Sequence, residues 1–448
     1  MSTNYSKIRF IGYAIPTTDG SLVDIGNPNG PGALAGKYLG NQDMNTDIDN
    51  RILVLKNAVE LANSKLPVGE DPTSIVNLFV APEFYFHGVE GPYIYSDSSD
   101  GDPADKILQK LQATFPAAQY PNWTFVFGSV ITAKVDNIQN LYESNSVTVR
   151  NSVVKNLAEN WQNSFGPLQG VIFDALVNFI KNCHAYPDVE VRNRAMIVSN
   201  LPLSSSLNNA EFSEPTMTVE KYYDSNEDFL LYDVSQPPRN IITEQMTAYP
   251  VIDKSGGDIK KTNTDPYAIF RQNYGAANFP NYMDFAIEIC LDHSDLRLRR
   301  NLNNEPWSNK NVDAIHVQII PSCGMQISGP SVAADVNGFV FNCDGQYNLD
   351  MTTVPQANSQ SGVNCVYTNY YVNANYAAHT QLARVSVAAT GGNPSPNNNA
   401  QFELMTTNDV LSVAVSGTPL KNFDHYFAGG YGEVHIYGLN NGYVLYPQ

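Results

Sequence analysis

The chain has 448 residues, 43% of them hydrophobic and 16% charged, a balance that fits a well-packed globular protein and excludes a disordered one. Lysine and arginine number 26 against 44 aspartate and glutamate, a net charge of −18, which argues against nucleic acid or an anionic membrane as partner. No run approaches the roughly 18 apolar residues of a membrane span, and Met1–Lys7 lacks a basic stretch followed by an apolar core, so a cytoplasmic location is expected. Five cysteines, at 183, 290, 323, 343 and 365, form no Cys-x-x-Cys pair, and the seven histidines form no closely spaced pair. Free thiols are therefore expected, with no metal and no cofactor.

Lys7 to Ala14 alternates and predicts a first strand. After a Gly/Asn/Asp-rich loop, Asp49 is expected to cap a helix whose apolar positions Ile52, Leu55, Val59 and Ala62 form one stripe. A strand at 75–80 follows, and the β-α-β order implies neighbouring parallel strands. Asp102-Pro103 opens a second helix, with Ile107, Leu108, Leu111 and Phe115 as its buried stripe. The strand at 123–131 contains Gly128-Ser129, a pair that marks either a bulge or a close approach beside a site. Residues 153–185 read as helical, 191–198 as a strand, and 234–281 as a long polar connection with a short helix at 266–274. Strands are expected at 283–290 and 312–320. From 346 to 448 the composition turns to Asn, Tyr, Gln and Gly, with strands expected at 379–389, 411–415, 433–437 and 443–446.

Two stretches carry the chemistry. Ala286 to Ser294 is an apolar strand that ends in Cys290, and period-two alternation puts Glu288 on the face of Cys290. Within residues 75 to 86 an apolar strand ends at Pro82-Glu83, with Val80, Phe84 and Phe86 around the carboxylate. A charge among aromatics is expensive to desolvate without a partner. Glu83 is thus either a turn or cap residue or a general base with a raised pKa.

Together, Ala81-Pro82-Glu83-Phe84 and Ile289-Cys290-Leu291-Asp292 resemble the nitrilase superfamily of carbon–nitrogen hydrolases. The resemblance covers roughly residues 6–345, with insertions near 153–185 and 234–281, and leaves 346–448 as a β-rich extension packed on the core. It implies a four-layer α-β-β-α sandwich and a Glu–Lys–Cys triad. The lysine it implies is Lys221, in Met217–Tyr223, with Lys155 as the competing candidate. A second glutamate that positions the lysine and substrate matches Glu227 best and Asp228 less well. Asp292 and Glu288 complete the expected substrate-binding set. The family often has Arg two residues after the motif Asp; here that residue is Ser294, with Arg297 near enough to substitute.

Amide or nitrile hydrolysis needs a thiolate nucleophile, a carboxylate that takes and returns its proton, and a cation facing the developing negative charge. Cys290, Glu83 and Lys221 suit those roles through a thioester acyl-enzyme, with an amide favoured over a nitrile as the small-molecule substrate. The resemblance also implies a homodimer or higher homo-oligomer. The alternatives are a non-catalytic protein of the same fold that recognises a peptide or carbohydrate, and a Cys–His hydrolase pairing Cys290 with His316 or His379.

Overall fold

In the computed structural model the residues described are 5–17, 39–41, 43–88, 92–95, 101–135, 188–201, 215–221, 268–273, 282–301, 315–346, 378–417, 419–427 and 430–444, with short strands at 23–24, 34–35, 247–250 and 366–367. The helix expected at 153–185, Lys155, Glu227, Asp228, Cys183 and Cys365 lie outside them. Two large sheets dominate. The first runs Val410–Ala414, Glu433–Tyr437, Lys7–Ala14, Ile75–Ala81, Trp123–Val135, Asp188–Ser199 and Thr216–Glu220. The second runs Ile269–Asn273, Tyr282–Ile287, Val317–Ser322, Phe339–Asp344, His379–Val387 and Val366–Tyr367.

Strand alternation explains the layering. Ile8 and Phe10 belong to the apolar core between the sheets, while Ile11 and Tyr13 belong to the core under the helices. Phe10 meets Phe339 and Phe341 of the second sheet with ring centroids 5.2 and 5.3 Å apart. On the other side of the first sheet lie the helices Met44–Lys65 and Pro103–Thr114, burying Leu55, Val59, Ile107 and Leu111. Behind the second sheet sit the short turns Leu291–Ser294, Arg297–Asn301 and Gly329–Ser331. They bond to the outward-facing Glu288 and Gln318 through His293, the Leu298 N–H and the Ser331 carbonyl. The layered α/β sandwich expected from the sequence is the observed architecture.

Asp102 caps its helix as expected, accepting the Ala104 N–H at 2.9 Å. The first helix starts earlier than expected. Asp43 is the cap, accepting the Thr46 N–H at 2.8 Å, and Asp49 lies inside the helix. Polar Asp47 and Arg51 disguised that first turn; they form a fully buried pair at 2.6 Å. The helix expected at 266–274 is instead the strand Ile269–Asn273, antiparallel to Tyr282–Ile287. Cross-strand partners decide this: Phe270 stacks on Phe285 at 5.3 Å and Arg271 pairs with Asp284 at 2.7 Å. Residues beyond 346 enter both sheets. Glu433–Tyr437 pairs antiparallel with Lys7–Ala14, and His379–Val387 pairs antiparallel with Phe339–Asp344.

Candidate active site

The ends of several strands converge here. Glu83 follows Ile75–Ala81, Lys221 follows Thr216–Glu220, and Cys290 follows Tyr282–Ile287 after two further residues. The carbonyl ends of Val317–Ser322 lie among them: Ser322 O accepts the Glu83 N–H at 3.3 Å and Pro321 O accepts the Cys290 N–H at 3.1 Å.

The Glu83 loop is gripped by the strand beside it. Gly128 has φ +71°, and a Cβ there would lie 2.0 Å from the Pro82 carbonyl oxygen. Only glycine lets the strand come that close with that backbone. The Trp123–Val135 strand bulges between Val126 and Ser129, so both meanings of the Gly-Ser signal apply. Ser129 then binds the loop twice, its Oγ accepting the Phe84 N–H and its carbonyl the Phe86 N–H, each at 3.0 Å. Phe84 itself has φ +57°.

Glu83 is fully buried, and its Oε1 accepts from Lys221 Nζ and from Asn193 Nδ2, both at 2.9 Å. The Lys221 side chain is 2% exposed and its ammonium lies 5.6 Å from the Phe84 ring centroid. A lysine so desolvated stays charged only against a fixed anion, and Glu83 is that anion. Asn193, which sequence reasoning missed, sits on Asp188–Ser199; its own carbonyl accepts the Lys221 N–H at 2.8 Å. It therefore holds both members of the ion pair.

Cys290 stands where the strand gives way. The strand stops at Ile287, and Cys290 has φ +48° and ψ −104°, so the alternation that placed Glu288 beside it does not extend this far. A positive φ in a residue other than glycine costs of order 1–3 kcal/mol and survives only where surroundings enforce it. The thiol is buried and donates to the Cys323 carbonyl at 3.8 Å. Burial pushes its pKa well above the usual thiol range; the Glu83 and Asp344 carboxylates raise it further and Lys221 draws it down. The adjacent carbonyls of Pro321 and Ser322 hold the Cys290 and Glu83 backbones side by side.

Of the other expected site residues, Glu227 lies outside the described residues, while Glu288 and Asp292 bond both side chains and backbone around the cysteine turn. Glu288 accepts from Gln318 Nε2 at 2.6 Å and the Leu298 N–H at 2.8 Å, and pairs with His293 Nδ1 at 2.6 Å. Asp292 accepts the Ile289 N–H at 3.3 Å and Arg297 Nη1 at 3.0 Å. The same Arg297 nitrogen donates to the Glu220 carbonyl at 2.7 Å. Arg297 thus ties the cysteine turn to the residue before Lys221. Of the two histidines considered as partners, His316 Nδ1 accepts the Asp284 N–H at 3.0 Å, and His379 Nδ1 lies 3.6 Å from Asp344 Oδ1. Among the described residues no cluster of His, Cys, Asp and Glu is able to hold a metal ion, and no helix is long and apolar enough to cross a membrane.

No protein-family model matches the chain, and no curated protein does. Among solved structures it is similar to Saccharomyces cerevisiae Nit3, a member of branch 10 of the nitrilase superfamily, at 12% identity over 90% of this chain and 92% of that one, with a TM-score of 0.33. It is similar to an amidase from Nesterenkonia sp. at 9% identity over 78% of each chain, TM-score 0.29. A mutant of the amidase from Nesterenkonia sp. AN1 in complex with butyramide matches at 8% identity over 77% of each chain, TM-score 0.29. The chemistry rests on the geometry of Glu83, Lys221 and Cys290. The superfamily named for the first of these structures is the one that the Ala81–Phe84 and Ile289–Asp292 motifs resemble.

Proposed function

We propose that this protein hydrolyses the carbon–nitrogen bond of a small amide through a thioester on Cys290. The observation that carries the reading is the buried Glu83–Lys221 pair, 2.9 Å apart, with the Glu83 and Cys290 N–H groups held by the adjacent carbonyls of Ser322 and Pro321. In the resting site the thiol keeps its proton, so attack requires a base at hand. Glu83 takes that proton as sulfur bonds to the amide carbon. The oxygen that gains negative charge faces the Lys221 ammonium, an interaction of the kind whose removal costs about 10²–10³ in rate. Glu83 then returns the proton to the departing nitrogen as the carbon–nitrogen bond breaks. Water attacks the thioester, gives a proton to Glu83, and releases the carboxylic acid as the thiol is reprotonated. No metal or organic cofactor enters these steps.

Small uncharged aliphatic amides test this reading, with the matching nitriles as a second arm and a homo-oligomer in light scattering as part of the same proposal. Ammonia release should depend on intact Cys290, and rapid acid quenching should trap an acyl mass on the Cys290 peptide. Absence of both turnover and adduct across the panel would overturn the assignment. Cleavage of nitriles alone would transfer the substrate class.

A further inference from the structure

Asp344, at the end of Phe339–Asp344, is fully buried and has a task that the triad does not explain. Its Oδ2 accepts three donors from one turn: Ser322 Oγ at 2.7 Å, the Gly324 N–H at 2.6 Å and the Met325 N–H at 2.7 Å. Its Oδ1 accepts the Gln346 N–H at 2.9 Å and faces His379. A carboxylate collecting several short, charge-assisted bonds from one segment fixes that segment's backbone. The Ser322–Met325 segment touches both halves of the site, because Ser322 O holds the Glu83 N–H and Cys323 O receives the Cys290 thiol. The next residue seals the arrangement: the Gly345 N–H also bonds Ser322 O at 2.9 Å, and a Cβ on Gly345 would lie 2.7 Å from the Pro82 ring carbon beside Glu83.

We propose that Asp344 is the positioning residue of this site: by gripping the Ser322–Met325 turn it sets the spacing between Glu83 and Cys290. The inference rests on the amide-hydrolase reading for its kinetic consequence, but its geometric part is independent of substrate. The charged groups acting on the thiol are Glu83, Lys221 and Asp344 itself, with Asp344 among those that disfavour the thiolate.

Asp344→Asn keeps the size and one acceptor while removing the charge that orders three donors. We expect kcat to fall about 10- to 100-fold, the effect of a misplaced reacting group, with KM within about twofold. The pH midpoint of iodoacetamide alkylation of Cys290, followed by peptide mass, should move to lower pH, so alkylation at neutral pH quickens while turnover slows. A merely structural aspartate would lower the melting temperature and leave kcat per folded molecule unchanged, and such a result overturns the proposal. So does full activity with an unchanged midpoint. If wild-type protein cleaves no amide, the hydrolase reading fails, and the alkylation rate of Cys290 in Ser322→Ala, which loses one bond of the grip and keeps the Asp344 charge, still decides the role of Asp344. If Asp344→Asn does not fold, Ser322→Ala removes one of the three donors and leaves the backbone bonds. It should change the alkylation rate of Cys290 at fixed pH, and a rate equal to wild type overturns the proposal.

Discussion

The two halves of the site are built by different means. The Glu83–Lys221 half is an ion pair between side chains, supplemented by Asn193 and the Phe84 ring. The Cys290 half is a strained backbone turn, held from behind by Glu288, His293 and Gln318 and tied across by Arg297. In the first half the charged side chains face each other, whereas in the second the charged side chains Glu288, Asp292 and Arg297 bond the turn that carries the sulfur. Substitutions in the first half should therefore damage chemistry more than folding, and those behind the second half should do the reverse.

The sharpest break is Cys290→Ala, which removes the bond-forming atom. Turnover should fall by about 10⁴-fold or more, as when a nucleophile is deleted, with an unchanged circular dichroism spectrum. Retained activity would place the nucleophile elsewhere. Next come the two members of the ion pair, which separate by sign. Lys221→Met should cost about 10²–10³ in kcat and slow the alkylation of Cys290, because Lys221 is the charge that favours the thiolate. Glu83→Gln should lose turnover to a similar extent yet alkylate faster at neutral pH, since its carboxylate holds the thiol pKa up. Equal alkylation rates in the two variants would show that neither charge acts on the sulfur.

Behind the second half, Glu288→Gln replaces a carboxylate that accepts from Gln318 and the Leu298 N–H and pairs with His293 by an amide with one acceptor and two donors. A thermal melt should register a loss of about 1–3 kcal/mol, the usual cost of unsatisfied buried polar groups, while activity per folded molecule falls less than in Lys221→Met. A variant as stable as wild type would remove the structural role given to Glu288. The smallest effect concerns acid stability. His316 is lowered from 6.5 to about 4, first by burial and then by nearby Arg271. Below pH 6.5 the unfolded chain takes up a proton at this position that the folded chain refuses until about pH 4. Stability should thus fall through that window, by at most about 3 kcal/mol from this residue, and stay unaffected above it. Urea midpoints on either side of the window, compared between wild type and His316→Asn, should show a shallower slope in the variant. Equal slopes would mean that His316 is protonated alike in both states.

Local signals made much of this legible in advance. Lys7–Ala14 follows directly from alternation, and Asp102-Pro103 marks its helix because a cap and an N1 proline act within one turn. Local signals also misled. Asp43 caps the first helix rather than Asp49, since the buried Asp47–Arg51 pair resembles a polar surface turn when its partners are unseen. Residues 269–273 form a strand because a neighbouring strand offers Phe285 and Asp284, and no property internal to 269–273 reveals that.

By itself the amino-acid sequence determined the candidate residue types and the strand ends on which they sit: a glutamate after an apolar strand, a cysteine after another, and flanking residues with the right propensities. Tertiary structure alone decided which groups meet. Lys221 reaches Glu83 across 138 residues and Asn193 does so across 110, contacts set by the register of Asp188–Ser199 between its neighbours. The grip of Asp344 on the Ser322–Met325 turn depends likewise on the parallel pairing of Val317–Ser322 with Phe339–Asp344. Propensity acts over a few residues, whereas register is fixed by the summed burial of whole strands, so the positioning of the site is a property of the sheets and not of any motif.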